Sequence, residues 1–243
     1  MVGKKWLKLI KSLHQKKYRI QHQLFFVEGK KLLSELLNGQ LRPVKIVTLK
    51  EFEAEFEHLG VEVANQKEFS AISALKSPNG VLGVFEIPKP RPIEENDWVV
   101  ALDDVRDPGN LGTIVRLCDW YGIKHLICSP STVDFYSPKV LQATMGSMAR
   151  VNVVYTALDR FFDMTNLPIY GAFMNGENVC QEKLPQRGVL VMGYEASGIS
   201  TTLESRIKRK IGIPQFGGAT TESLNVAMAT GILLNEIRRG QFC

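Results

Sequence analysis

The chain has 243 residues, 44% of them hydrophobic, and 30 Lys and Arg against 25 Asp and Glu give a formal net charge of +5. That is enough apolar material for one large or two modest cores. No apolar run approaches the roughly 20 residues that cross a bilayer and the opening lacks the apolar centre of a signal peptide, so a cytoplasmic protein with no membrane partner is expected.

Charge is concentrated at the start. Lys4, Lys5, Lys8, Lys11, Lys16, Lys17, Arg19, Lys30 and Lys31 are opposed only by Glu28, whereas residues 51–68 are acidic. A basic leader of this kind attracts phosphate backbones through counterion release, and Lys16, Lys17, Arg19 and Lys30 are its candidate nucleic-acid contacts. Tyr18 and Phe25, set among these cations, are candidates for stacking on unpaired bases. Trp6, Leu7, Leu9, Ile10 and Leu13 have helical spacing, and a second helix is predicted over 28–37, stopped by Asn38 and Gly39. Strands are predicted over 44–49 and 80–85, which makes residues 1–88 a small α/β domain. Pro88, Pro90 and Pro92 fix φ and withhold backbone donors, so residues 89–96 read as an extended linker.

The second domain, 97–243, opens with a buried strand over 98–102, short and rich in valine. A helix over 110–121 and a strand over 125–128 follow. Further strands over 169–173, 189–192 and 210–213 alternate with helices over 138–148 and 225–239, and that alternation implies a mostly parallel α/β sheet covered on both faces. Cys118, Cys128, Cys180 and Cys243 form no C-x-x-C pair and have no histidine at ligand spacing, so they read as reduced thiols and no metal site is expected. His14, His22, His58 and His125 lack a catalytic partner at useful spacing. Trp6, Trp98 and Trp120 read as core anchors.

Three islands in this domain make sense together. The first is Pro108-Gly109-Asn110-Leu111-Gly112 with Arg116, preceded by Asp103, Asp104 and Asp107; the second is Gly193-Tyr194-Glu195-Ala196-Ser197-Gly198; the third is Ser223-Leu224-Asn225, with Ile213 and Pro214 ahead of it. In this order they resemble the three motifs of the SpoU/TrmH family of RNA ribose 2'-O-methyltransferases, in the SPOUT group. Likewise, Lys17-Tyr18-Arg19 and Phe26-Val27-Glu28-Gly29-Lys30 resemble the opening of the ribosomal-protein-like substrate-binding domain that many members carry.

The resemblance implies a C-terminal trefoil knot and S-adenosylmethionine as methyl donor, bound between knotted loops by Ala172, Gly193, Glu195, Ile213, Ser223, Leu224 and Asn225. It implies catalytic roles for Arg116, Asn110, Glu195, Ser223 and Asn225, an RNA substrate with ribosomal favoured over transfer RNA, and a homodimer, for which Ile232, Leu233 and Ile237 offer an apolar face. No G-x-G-x-x-G follows the first strand, so a Rossmann-type donor turn is not expected; the glycines cluster late instead. A guanidinium with pKa above ~12 stays protonated, so the expected role of Arg116 is orientation and electrostatic stabilisation of a developing alkoxide; a general-base role would require help from an RNA phosphate or a desolvated pocket. Taken alone, Asn110 reads as a helix cap and Arg116 as a partner for Asp119.

Two departures from the family pattern stand out. Gln215 follows Ile213-Pro214 where Met is usual, and the loop over 216–222 is longer; Gln142 and Thr144 replace members of an Arg-Ala-Ser triplet, which leaves Lys139 as the source of positive charge there. The competing reading is a non-catalytic RNA-binding or ribosome-assembly factor that keeps the fold without turnover.

Overall fold

The computed structural model describes residues 2–39, 41–217 and 223–239. It divides into two compact units, residues 1–89 with 134–149 and residues 90–133 with 150–243.

The first unit begins with α1 (Lys4–Ser12) and α2 (Lys16–His22), then β1 (Leu24–Glu28), α3 (Lys30–Asn38), β2 (Pro43–Leu49), the short α4 (Glu53–Phe56), β3 (Glu62–Ala64), α5 (Gln66–Ile72) and β4 (Val81–Glu86). The sheet order is β1-β4-β2-β3, antiparallel except where β2 and β3 run parallel. Ile10 and Leu13 pack with Phe69 and Ile72 on Phe26, Val47, Leu82 and Val84, which form one core. Asn65 and Glu68 cap α5 reciprocally, each side chain accepting from the other's backbone N–H.

The expected helix over 28–37 starts two residues later. Glu28 ends β1 with its carboxylate buried, accepting from Ser73 Oγ at 2.7 Å and from the Ala74 N–H at 2.9 Å. Gly29, at φ 106, then breaks the extended run before α3 begins. β1 itself went unpredicted, because a short apolar run without alternation carries no period that separates strand from helix.

The second unit opens with β5 (Val99–Leu102), α6 (Pro108–Trp120) and β6 (His125–Cys128). The chain next forms α7 (Pro138–Thr144), which packs on β1 within the first unit. It then continues through β7 (Asn152–Tyr155), α8 (Leu158–Met164), β8 (Ile169–Asn178), β9 (Val189–Met192), the short α9 (Thr201–Glu204), β10 (Arg209–Gly212) and α10 (Val226–Arg239). The helix expected over 138–148 stops at Thr144, because Met145 and Gly146 both turn left-handed, at φ 51 and 98.

The six strands are all parallel, in the order β10-β8-β9-β5-β6-β7, so the expected α/β class holds. Every residue of β5 and β9 is buried, as a sheet with both faces covered requires. On one face Val99, Ala101, Val189 and Val191 meet Phe161, Phe162, Ile199 and Leu203. Elsewhere in the unit α10 packs along α6, and Arg238 fastens its end: the guanidinium donates to Asp97 at 2.8 and 2.7 Å and to the Tyr121 carbonyl at 2.8 Å. β8 runs five residues beyond the predicted strand, and its register with β10 breaks between Lys210 and Ile211. Gly176 permits that geometry, since a Cβ there would lie 2.4 Å from the Ile211 carbonyl carbon.

The tryptophans divide. Trp98 is buried and Trp6 is half-buried against the first core, but Trp120 is 83% exposed at the end of α6, which corrects its reading as a core anchor. Trp120 follows Asp119 on the solvent side of a helix whose apolar stripe is Leu111, Ile114, Val115 and Cys118.

Candidate active site

The carboxyl ends of parallel strands gather loops at one edge, the usual position for a ligand on an open α/β sheet. At this edge Asp103 continues β5, Gly193 continues β9 and Ile213 continues β10. Ala172 lies within β8, one residue past the Gly171 pairing with β9. Ala172, Gly193 and Ile213 are half-buried, and Ser223, Leu224 and Asn225 lie exposed ahead of α10.

α6 starts where Asp107 caps it. Its carboxylate accepts from the Asn110 N–H at 2.8 Å and Pro108 occupies the first turn, where its missing N–H costs nothing. The cap is therefore Asp107, which leaves the Asn110 side chain for other work. Asn110 Nδ2 donates to Glu195 Oε1, and Asn110 Oδ1 accepts from Asn225 Nδ2 at 2.9 Å. Asn225 Oδ1 meanwhile accepts from the Ala227 and Met228 amides at 3.0 and 3.3 Å, capping α10. One asparagine amide thus joins the three motifs, 85 and 115 residues apart in sequence.

This arrangement holds Glu195 beside the first turn of α6 through the Asn110 amide. The Glu195 loop is tight: Tyr194 and Gly198 exchange backbone hydrogen bonds at 3.0 and 2.8 Å, and a Cβ on Gly193 would fall 2.2 Å from the Gly198 carbonyl carbon. Gly198 supplies the positive φ, 67, that the turn needs.

Arg116 is exposed on α6 with no ion-pair partner among the described residues. Its expected helical partner, Asp119, is held instead by Arg150, with Nη2 to Oδ2 at 2.8 Å. A cation on the face that also carries Gly109 and Thr113, about 120° round the helix from Asn110, can meet an anionic ligand without first breaking a pair.

The first-unit candidates separate. Lys16 and Lys17 are exposed, with Lys17 4.7 Å over the Tyr18 ring; Lys139 is exposed at the start of α7; Lys30 pairs with Glu55 at 2.7 Å while staying 56% exposed. Arg19 does not fit the expectation of an RNA contact. It is 3% exposed, donates to the Leu13 carbonyl at 2.6 Å and is paired with Asp134, so its charge is spent inside the unit. Phe25 is likewise no stacking platform, being fully buried against Phe85 and Tyr136 at ring distances of 5.7 and 5.0 Å.

Sequence reasoning missed the support behind the second motif. Asp103 Oδ2 accepts from the Ser200 N–H at 2.8 Å, and Asp104, in the left-handed region at φ 60, holds Arg106 over the Tyr194 ring at 4.8 Å. The Arg106 guanidinium keeps the Asp104 carboxyl below the usual range. Two acids directly after a buried strand were the available signal. Burial pushes the Cys118 and Cys128 thiols up, so neither offers a thiolate. Among the described residues no group of His, Cys, Asp and Glu could hold a metal ion.

An S-adenosylmethionine fits the donors present. Backbone groups at the ends of β8, β9 and β10 can hydrogen-bond a heterocycle edge, and Leu224, 49% exposed, offers an apolar surface for its face. Gln215 and Phe216 are exposed beyond β10, while the remainder of the long loop, 218–222, falls outside the described residues.

Comparison with known proteins agrees with this geometry. The SpoU rRNA Methylase family matches residues 97–235 and the MRM3-like substrate binding domain matches residues 4–83. The chain is 28% identical over 236 residues to the 23S rRNA (guanosine(2553)-2'-O)-methyltransferase RlmP of Bacillus subtilis, covering 94% of each chain. A TrmH-family protein from Porphyromonas gingivalis superposes with a TM-score of 0.88 at 35% identity, over 99% of both chains. The AdoMet-bound rRNA methyltransferase from Sinorhizobium meliloti superposes with a TM-score of 0.85 at 31% identity, over 99% of this chain and 96% of that one.

Proposed function

The chain belongs to the SpoU rRNA Methylase family, and from that premise we infer that it is an S-adenosylmethionine-dependent methyltransferase acting on the ribose 2'-hydroxyl of ribosomal RNA. The observation that carries the reading is the Asn110 amide, which ties Glu195 and Asn225 to the helix bearing Arg116. On this reading residues 97–243 carry the catalytic motifs, residues 1–88 bind RNA and 89–96 connect them, with residues 134–149 folded into the first unit. The ribosomal RNA enzymes among its relatives support ribosomal over transfer RNA, and we infer a cytoplasmic location for the reaction.

A bound donor would supply a methyl group on a sulfonium centre. Ala172, Gly193, Glu195, Ile213, Ser223, Leu224 and Asn225 would hold it. The protein's own task is then to fix the 2'-oxygen in line and to stabilise the charge it develops. Arg116 does the second, as a cation without an ion-pair partner among the described residues, while Asn110 and Asn225 keep the starts of α6 and α10 in register. Glu195 orients Asn110 through the hydrogen bond between them. Lys16, Lys17, Lys30 and Lys139 contribute phosphate contacts; Arg19 is omitted because it is buried.

The trefoil knot follows from family membership. We also infer a homodimer, supported by the exposed apolar side chains Trp120 on α6 and Met228 and Ile232 on α10. Leu233 and Ile237, expected on that face, are 1% and 3% exposed within the chain and do not contribute. The test is methyl transfer from labelled S-adenosylmethionine to ribosomal RNA, with the product nucleoside identified. Donor binding without transfer to any RNA would favour the non-catalytic alternative.

A further inference from the structure

Arg106 stands outside the motif residues to which the resemblance gives roles, yet its side chain is held on two sides beside them. Its Nε donates to Asp104 Oδ1 at 3.0 Å and its Nη2 to Oδ2 at 2.5 Å, while its guanidinium carbon lies 4.8 Å above the Tyr194 ring. An exposed ion pair of this kind adds little stability. Side-chain exposures of 62% for Arg106 and 24% for Asp104 put it in that class, so its value must lie in geometry.

The backbone supports the same view. Asp104 sits in the left-handed region at φ 60, a conformation that aspartate tolerates better than most residues. Its N–H donates to Ser129 Oγ at 2.9 Å, and that hydroxyl is in turn bonded to Ser131 and Thr132, each at 3.0 Å. A hydroxyl cluster at the carboxyl end of β6 therefore fixes Asp104, Asp104 fixes Arg106, and Arg106 bears on Tyr194. On the far side of the same loop the Asp103 carboxylate holds the Ser200 amide at 2.8 Å. Glu195, which accepts from Asn110, lies between these two restraints.

We propose that Arg106 is a positioning residue for methyl transfer: gripped by Asp104, it holds Tyr194 and through it keeps Glu195 aligned with Asn110. The proposal rests on the methyltransferase reading above. It requires the arginine to act through the tyrosine ring and not by touching RNA.

Those alternatives separate in a variant series on the full chain: Arg106→Ala, Arg106→Lys, Tyr194→Leu, Tyr194→Phe and the Arg106→Ala/Tyr194→Leu pair. Arg106→Ala is expected to lower kcat by about two- to fivefold, the factor an exposed cation–π contact is worth, with KM for RNA unchanged. Tyr194→Leu should match it, Tyr194→Phe should remain near wild type because the ring is retained, and the pair should be no worse than either single change. Arg106→Lys keeps the charge but loses the two-pronged grip on Asp104 and should fall between. Amide exchange at Tyr194 and Gly198 in the protein alone should quicken about two- to fivefold in Arg106→Ala, the factor an exposed cation–π contact is worth. A raised KM for RNA at unchanged kcat, additive losses in the pair, or unaltered exchange would each overturn the proposal. Because exchange is measured without RNA or donor, it still decides the positioning claim should the wild-type chain transfer no methyl group, an outcome that would defeat the functional reading instead.

Discussion

In the first unit an arginine drawn from the basic run, Arg19, is buried against Asp134, whereas in the second unit Arg116 stands exposed on α6 without an ion-pair partner among the described residues. The two differ in neighbours and not in chemistry. Arg19 lies within α2 with its guanidinium turned inward to the Leu13 carbonyl and Asp134; Arg116 lies on the exposed side of α6, and its expected partner, Asp119, is already taken by Arg150. A count of cations thus overstates what a unit can offer to a phosphate backbone. The available charge is what remains after internal pairs have formed.

The comparison can be broken most forcefully at Arg19. Arg19→Ala leaves Asp134 largely buried without its counter-charge, and loss of one partner of a buried pair costs about 3–5 kcal/mol. Denaturant unfolding should show that loss, while RNA affinity per folded molecule stays within experimental scatter; weak RNA binding at unchanged stability would restore Arg19 as an RNA contact. Arg116→Ala should do the reverse, leaving the unfolding midpoint in place and lowering turnover by about 100- to 1,000-fold, the scale for deleting one donor to a developing oxyanion. Donor affinity, read by calorimetry, should be nearly unaltered, since Arg116 is absent from the proposed donor contacts.

Much of the second unit was legible because its signals are short and strong. The runs of β5 and β9 read as buried strands because they are short, rich in β-branched valine and bounded by turn residues, and Pro108 and Asp107 mark the start of α6. The first unit was less legible. β1 was hidden in an apolar stretch that Glu28 seemed to end as a helix start, and the reason that carboxylate can be buried, the Ser73 and Ala74 donors, lies more than 40 residues away. At the site, the members Asn110, Glu195 and Asn225 were visible as motifs, but the bonds that join them were not, because sequence spacing says nothing about contacts between residues 85 and 115 positions apart. Asp104 and Tyr194 stood within the motifs too, but their link through Arg106 was hidden for the same reason. Trp120 was misjudged since a tryptophan's size argues for burial whatever face its helix gives it.

A smaller effect sharpens the contrast between surface cations. Removing Lys16 and Lys17 together should weaken RNA binding about evenly across sequences and reduce the slope of log affinity against log salt by roughly one to two. An unchanged slope would show that neither lysine meets a phosphate.

The smallest effect is on pH dependence and belongs to the second unit. His125 is buried beside Asn152, and burial lowers its pKa below the ordinary 6.5. The unfolded chain therefore binds a proton that the folded chain refuses, so this contribution to stability is intact above about pH 6.5 and is lost as pH falls toward the lowered value. Thermal unfolding should decline between pH 7 and pH 5 in the wild type, and His125→Gln should show a shallower decline. A decline of equal slope in both would assign the pH response to other groups.

The most direct test of a single active site assembled from three separated motifs is a map of ribose 2'-O-methylation across the ribosomal RNA of cells lacking the protein, complemented in turn by wild type, Asn110→Ala and Arg116→Ala. The account predicts one methylated nucleotide lost on deletion, restored by the wild-type chain and by neither variant, with both variants folded and present at normal levels. An identical map in the presence and absence of the protein, or full restoration by Arg116→Ala, would contradict it.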